Sequence, residues 1–354
     1  MNVLVTGAAG FIGSALVELL LTQRPEWRVV SFDALTYAGN LANLAAWREH
    51  PRHTFVHGDI TDREQVAAVF AEHDIDGVFH LAAESHVDRS IVDPMAFVKT
   101  NLLGTATMLH AARTAWQGKS GTRFLHVSTD EVFGSLGETG AFTESTPYSP
   151  RSPYSASKAG SDHLVRAWHE TYGFPAVITN CTNNYGPRQF PEKLIPLALT
   201  RALAGQPVPV YGTGANVRDW LYVEDHCSAL LRVFERAELG STYCVGGETD
   251  VPNLELVHLL LDEIDTASGK APGTSRSLIH FVTDRPGHDF RYAMDISHIR
   301  NDLGWRPSVT LAEGLRRTVA WYLANQSWCA QVMSGDYRRF EQVWYSGRAG
   351  TQGA

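Results

Sequence analysis

The chain has 354 residues, 44% of them hydrophobic, and its 30 Lys or Arg against 38 Asp or Glu give a formal net charge of −8. That length and apolar fraction suit a large core shared between two unequal domains, and an acidic chain with no basic run lacks the footprint of a nucleic-acid binder. Four scattered cysteines with no CxxC pair read as packing residues of a reducing, cytoplasmic compartment, not as a disulfide frame.

The opening run MNVLVTGAAGFIGSALVELLL is apolar but has no basic leader and contains three spaced glycines. It is expected to belong to the fold and to be neither a signal peptide nor a membrane span. It divides into a strand, NVLVTG at 2–7, and a helix at 11–22. Between them Gly7, Gly10 and Gly13 recur every third residue at the helix entrance. Small residues there let backbone amides and the positive helix end approach a pyrophosphate; the same spacing also serves a purely structural turn. The next strand, RVVSFD at 28–33, ends in Asp33. A carboxylate at that strand end can accept both hydroxyls of a ribose and would repel a 2′-phosphate, which favours NAD over NADP.

A third strand, TFVHGD at 54–59, brings Asp59 and Ile60 to its end, placed either for adenine contact or for a turn. Then come a helix at 63–72, GVFHLAA at 77–83, a helical pattern at 94–116, FLHVST at 124–129, a helix at 155–172 and AVITNC at 176–181. Near-continuous apolar strands alternating with helices predict an α/β fold with a doubly wound parallel sheet of Rossmann type, whose ligands sit at the carboxyl ends of the strands. Further on, Leu254, Val257, Leu261 and Ile264 share one helical face with Asn253 as a cap, and Thr310 and Glu313 have capping-box spacing before a helix ending near Asn325. The expected organisation is a cofactor domain over 1–184, with segments returning at about 211–245. A smaller, mostly helical substrate lobe occupies most of 185–354 and ends in a flexible GRAGTQGA tail.

Chemistry gathers after the fifth strand. Thr129, Asp130 and Glu131 stand where a buried strand surfaces, and taken alone the two acids equally suit a solvated strand end. Successive strand residues point to opposite faces, so both carboxylates can serve one ligand only if the strand has ended and turned by Asp130. In SPYSASK, Tyr154 and Lys158 lie four residues apart on one helical face, either as an exposed pair or as a base and its cation. A lysine cation about 4 Å from the phenol contributes roughly 4 kcal/mol at an effective dielectric near 20. That equals about three pKa units and would bring Tyr154 close to ionising at neutral pH. No HExxH motif or Cys/His cluster suggests a metal.

Together these residues resemble the extended short-chain dehydrogenase/reductase family, and within it the nucleotide-sugar 4,6-dehydratases. The resemblance runs from Met1 to about Tyr345 and is carried by TYAGN (36–40), LAAESHVDRS (81–90), STDEV (128–132), TNCTNNYGP (179–187), FPEKLIPL (190–197), RDWLYVEDH (218–226) and DRPGHD (284–289). Ala8 departs from the pattern, standing where many relatives have glycine. The resemblance implies NAD as cofactor, held by Gly7, Gly10, Phe11, Ile12, Gly13, Asp33, Thr36, Asp59, Ile60, Leu81, Ala83, Ser85, Thr100, Tyr154 and Lys158.

It also implies a reaction. Oxidising C4 of a hexose to a ketone acidifies C5, and protonating the C6 hydroxyl makes it a leaving group, so one redox pair must work beside two further proton-handling groups. By resemblance Tyr154 takes the C4 hydroxyl proton, Thr129 and Lys158 hold geometry and charge, Glu131 removes the C5 proton and Asp130 protonates the C6 oxygen. The implied substrate is dTDP-glucose, with Arg218 and Arg285 at the diphosphate, Asn253 and His288 nearby, and Ser85, Thr129, Asn183, Lys193 and Tyr211 as further contacts. Either arginine could instead serve a structural salt bridge. The helices at 94–116 and 155–172 resemble those that pair two subunits into a homodimer, though their apolar residues, Leu109 and Leu164 among them, suit an ordinary core as well. Two other functions stay open: a nucleotide-sugar 4-epimerase, which needs no C5 base or C6 acid, and a non-catalytic NAD-binding regulator.

Overall fold

The structure, a computed structural model, describes residues 1–284 and 287–333; Arg285 and the GRAGTQGA tail lie outside them. The first half alternates strand and helix: β1 (Asn2–Thr6), α1 (Phe11–Gln23), β2 (Arg28–Asp33), β3 (His53–His57), α2 (Arg63–His73) and β4 (Gly77–His80). Next come α3 (Val87–Val92), α4 (Pro94–Phe97), α5 (Thr105–Ala115), β5 (Arg123–Thr129), α6 (Pro153–Tyr172) and β6 (Ala176–Cys181). The second half contains β7 (Asn183–Tyr185), α7 (Leu194–Leu203), β8 (Val208–Tyr211), β9 (Val217–Tyr222), α8 (Val223–Arg236), β10 (Thr242–Val245) and β11 (Asp250–Pro252). It ends with α9 (Asn253–Ala267), β12 (Ile279–Val282), α10 (Ser297–Leu303), α11 (Leu311–Ala324) and α12 (Gln326–Val332).

Seven strands form one parallel sheet in the order β10-β6-β5-β4-β1-β2-β3. The strands are apolar because both faces are covered. Val3, Val5, Phe79, Leu125 and Val177 pack into one core with α1 and α8, while Leu4, Val30, Val78, Phe124 and Ile178 pack into another with α2 and α5. The order reverses direction between β1 and β4, which opens a crevice at their carboxyl ends. A third core, including Leu199, Leu256, Leu260, Leu315 and Val319, joins α7, α9 and α11 beside the small sheets β11-β9-β7 and β12-β8.

Two local expectations change. The helix at 94–116 is interrupted by a π-helical stretch, Val98–Gly104, between α4 and α5. Its Asn101 bonds both backbone groups of Glu84 (2.9 and 3.0 Å) and also donates to the Ser157 hydroxyl (2.9 Å), tying the chain after β4 to α6. Asn253 is not a cap. Pro252 occupies that position without a side-chain bond, because the α9 entrance is held by backbone pairing of β11 to β9 and by Asn253 N donating to Asn216 O at 2.9 Å.

Leu109 is fully buried, and Leu164 is partly buried against the same core. The apolar side chains that α3, α4 and the π stretch expose are Ile91, Val92, Met95, Val98 and Leu103. Among the described residues no helix is long and apolar enough to cross a membrane, and no group of His, Cys, Asp and Glu is arranged to hold a metal.

Candidate active site

The turn from β1 into α1 begins with Gly7 at φ +68°, a left-handed conformation open to glycine, where an added Cβ would lie 2.9 Å from the Ala82 backbone. Gly13 is packed more tightly still: a Cβ there would sit 2.1 Å from the Gly7 carbonyl oxygen. Gly10 is the N-cap of α1 and makes no side-chain cap bond, and a Cβ on it would approach only the Gly7 carbonyl, at 3.2 Å. The first turn of α1 therefore presents backbone amides to the crevice at a place that a side chain would fill, a shape and polarity suited to a pyrophosphate.

Asp33, at the end of β2, is anchored by the amides of Ala9 (2.9 Å) and Leu35 (2.8 Å). Burial pushes its carboxyl up and those two amides pull it back. Asp59 lines the same crevice and accepts the Thr61 amide at 2.8 Å, so it shapes a turn as well. Phe11, Ile12, Thr36, Ile60, Leu81, Ala83, Ser85 and Thr100 also line this cavity, which continues to Thr129, Tyr154 and Lys158. The cleft thus fits a dinucleotide on the structure's own terms.

At its inner end, β5 stops at Thr129 and a tight 3-10 turn, Asp130–Phe133, follows. The Thr129 hydroxyl enforces the change: it accepts the Glu131 amide (3.3 Å) and donates to Asp130 Oδ1 (3.1 Å). The strand's alternation ends there, and Asp130 and Glu131 both line the cavity. Asp130 is buried, with Oδ2 in no hydrogen bond. Burial first and the neighbouring Glu131 second raise its pKa to about 8, against the opposing pull of the Thr182 and Thr129 hydroxyls and Arg218. It is a carboxylic acid at neutral pH.

Helix α6 starts at Pro153, two residues earlier than expected, because Ser152 and Ser155 form a reciprocal capping box (3.0 Å in each direction) with proline at the first helical position. This places Tyr154 in the first turn and Lys158 one turn on. The Lys158 ammonium donates to the Val127 carbonyl at 2.8 Å. The expected lowering of the Tyr154 pKa by Lys158 is not what this arrangement produces. Burial, then the Glu131 carboxylate, hold the phenol well above its ordinary range, and the Thr129 hydroxyl opposes them. Tyr154 rests here as a protonated phenol.

A second cavity adjoins the first, and Glu131, Asn183 and Lys193 line both. Beyond them it is lined by Tyr211, Arg218, Asn253 and His288, drawn from the lobe. Arg218 is buried, donating to the carbonyls of Val217 (2.7 Å), Asp289 (2.9 Å) and Phe290 (3.3 Å), with its guanidinium 4.3 Å from the Tyr292 ring centre. Tyr211 donates to Asp88 (3.0 Å), Lys193 to the Ser85 carbonyl (2.8 Å), and His288 Nδ1 lies 2.6 Å from Asp284.

Asp88, Glu192 and Gln189 also line this second cavity, and sequence reasoning assigned them no role. The first two stand inside SHVDRS and FPEKL, the phrases that carried the resemblance, so their location was signalled although their chemistry was not.

A family model described as GDP-mannose 4,6 dehydratase matches residues 4–318. The chain is 54% identical over 341 residues to the dTDP-glucose 4,6-dehydratase of Xanthomonas campestris pv. campestris (strain ATCC 33913), spanning 95% of this chain and 97% of that one. This chain belongs to the 4,6-dehydratase family. Its fold superposes with a TM-score of 0.86 on the dTDP-glucose 4,6-dehydratase of Streptomyces venezuelae solved with NAD and TYD bound, at 48% identity over 93% of this chain and 98% of the other. A UDP-glucose 4-epimerase from Thermus thermophilus, solved with NAD, gives 0.81 at 32% identity, covering 92% and 100%. Dehydratase and epimerase thus share the framework.

Proposed function

We propose that this chain is a dTDP-glucose 4,6-dehydratase that converts dTDP-glucose into dTDP-4-keto-6-deoxyglucose and water. The observation that carries this reading is the junction of the two cavities: Glu131 lines both, Asp130 adjoins it as a neutral acid, and Tyr154 and Lys158 line the cofactor side. NAD, when bound, supplies the hydride acceptor for C4 and the donor for C6, together with a positive ring charge.

The chain's own residues do the rest. Tyr154 is assigned to the C4 hydroxyl proton; to accept it the phenol must first release its own proton to solvent, a loss that burial and Glu131 oppose, the Thr129 hydroxyl favours, and the positive ring charge of bound NAD would favour. Glu131 takes the C5 proton once C4 is a ketone, and Asp130 donates its proton to the departing C6 oxygen, so water leaves with no net change in charge. Glu131 then returns its proton to C5, and the proton taken by Tyr154 is released to solvent while Asp130 is reprotonated, so each group regains its starting state. A neutral Asp130 beside Glu131 as acceptor supplies the proton donor and the base that elimination requires. Arg218 and Arg285 are assigned to the diphosphate with Asn253 and His288 nearby, and Ser85, Asn183, Lys193 and Tyr211 to further contacts with sugar, phosphate or base. A 4-epimerase uses only the C4 redox step, and Asp130 with Glu131 would be surplus to it.

Two further assignments accompany this. The exposed Ile91, Val92, Met95, Val98 and Leu103 form the surface through which we assign a homodimer. The four cysteines are free and the described residues form no disulfide, as in a cytoplasmic enzyme.

The test is to supply dTDP-glucose carrying deuterium at C4. A dehydratase gives a product lighter by water with the label at C6; an isomer of unchanged mass would overturn the reading in favour of an epimerase, and no product would point to a regulator.

A further inference from the structure

Asp162 lies one turn beyond Lys158 on α6 and is fully buried, with no exposure to solvent. Its Oδ2 accepts the Ser128 hydroxyl (2.8 Å), the Tyr148 phenol (2.8 Å) and the Asn180 amide (3.3 Å). His126 Nε2 stands 3.1 Å from Oδ1 and 3.2 Å from the Ser161 hydroxyl. These partners come from β5, from the approach to α6, and from β6. Asn180 also donates to the Thr129 carbonyl at 3.1 Å, and Tyr148 is itself held by Arg166 at 2.8 Å.

A carboxylate removed this far from water costs several kcal/mol unless its charge is answered. The nearby positive group is Lys158. The titratable groups facing Lys158 are His80 from β4, His126 from β5, Cys181 from β6 and Asp162 on its own helix. Burial holds His80 well below its usual range and His126 near 4, and it lifts the Cys181 thiol to about 12, so these three are neutral at pH 7. Of the four, Asp162 alone is charged. Burial raises its pKa, but the His126 contact, Lys158 and Ser128 together more than offset that and leave it below the ordinary carboxylate value. For Lys158, burial favours loss of the proton, and Asp162 is the first opposing influence.

We propose that Asp162 is a positioning residue of this site: its carboxylate supplies the counter-charge to Lys158 and ties the ends of β5 and β6 together beneath Thr129. One group thereby couples the half of the site that oxidises C4 to the half that eliminates water. The inference takes the dehydratase reading as its chemistry but is measured separately from it.

The experiment uses the full chain with its cofactor. Lysine labelled with carbon-13 is followed by NMR titration, and the Lys158 signal is identified by its absence in Lys158→Met. In Asp162→Asn the Lys158 signal is expected to titrate at lower pH than in the wild type, and turnover of dTDP-glucose to fall by about 10- to 100-fold through lost alignment. In Tyr148→Phe, which removes a donor but keeps the charge, the titration should stay in place while turnover slows at unchanged KM. An unshifted Lys158 titration in folded Asp162→Asn overturns the proposal. Should that variant not fold, wild-type turnover in Tyr148→Phe with Ser128→Ala overturns it instead. A wild-type chain inactive on dTDP-glucose would sink the functional reading, and the Lys158 titration would still decide the role of Asp162.

Discussion

The Lys158 ammonium donates to the carbonyl of Val127, two residues before Thr129, at 2.8 Å, so α6 is fastened to the strand that leads into Asp130 and Glu131. A shift of α6 relative to β5 would disturb oxidation and elimination together.

Replacing Tyr154 with phenylalanine removes the group assigned to the C4 hydroxyl proton. Reduction of bound NAD on mixing with dTDP-glucose should slow by about 10²- to 10⁴-fold, followed as near-ultraviolet absorbance in a single turnover. Reduction at the wild-type rate would transfer the base role to another residue.

Glu131→Gln should separate the half-reactions. Bound NAD is still reduced by substrate, but release of water falls by about 10²- to 10⁴-fold and the reduced cofactor accumulates. Simultaneous loss of both steps would place Glu131 in oxidation and not in C5 deprotonation.

Asp130 donates only while protonated, and burial beside Glu131 holds its pKa at about 8. The elimination step should proceed at neutral pH and decline as pH rises through about 8. In Asp130→Asn that alkaline decline should vanish along with most of the rate. An identical pH profile in the variant would detach Asp130 from the limb.

Gly13→Ala forces a Cβ to within 2.1 Å of the Gly7 carbonyl, against backbone that cannot swing aside. The expected cost is about 1–3 kcal/mol of stability, with a purified protein depleted of NAD, read by thermal melting and by cofactor content after denaturation.

Met95 is 67% exposed and Val92 is 65% exposed, on the surface assigned to self-association. Met95→Glu should shift the protein to the monomer mass in light scattering while leaving its melting behaviour near that of the parent. A monomeric parent would remove the assignment.

The amino-acid sequence by itself determined the doubly wound sheet, because parallel strands covered on both faces must be apolar throughout and alternate here with helical runs. It also marked Asp33, Thr129, Tyr154 and Lys158, whose positions follow from strand ends and helical period. Tertiary structure alone decided the rest. Whether Asp130 and Glu131 share one cavity depends on a hydroxyl that ends β5, the ionisation of Tyr154 and Asp130 depends on burial and on the neighbouring Glu131, and Asp162 gathers donors from three segments distant in the chain. Local pattern records which residues are near in sequence, whereas the energy of a buried charge is set by what surrounds it in space.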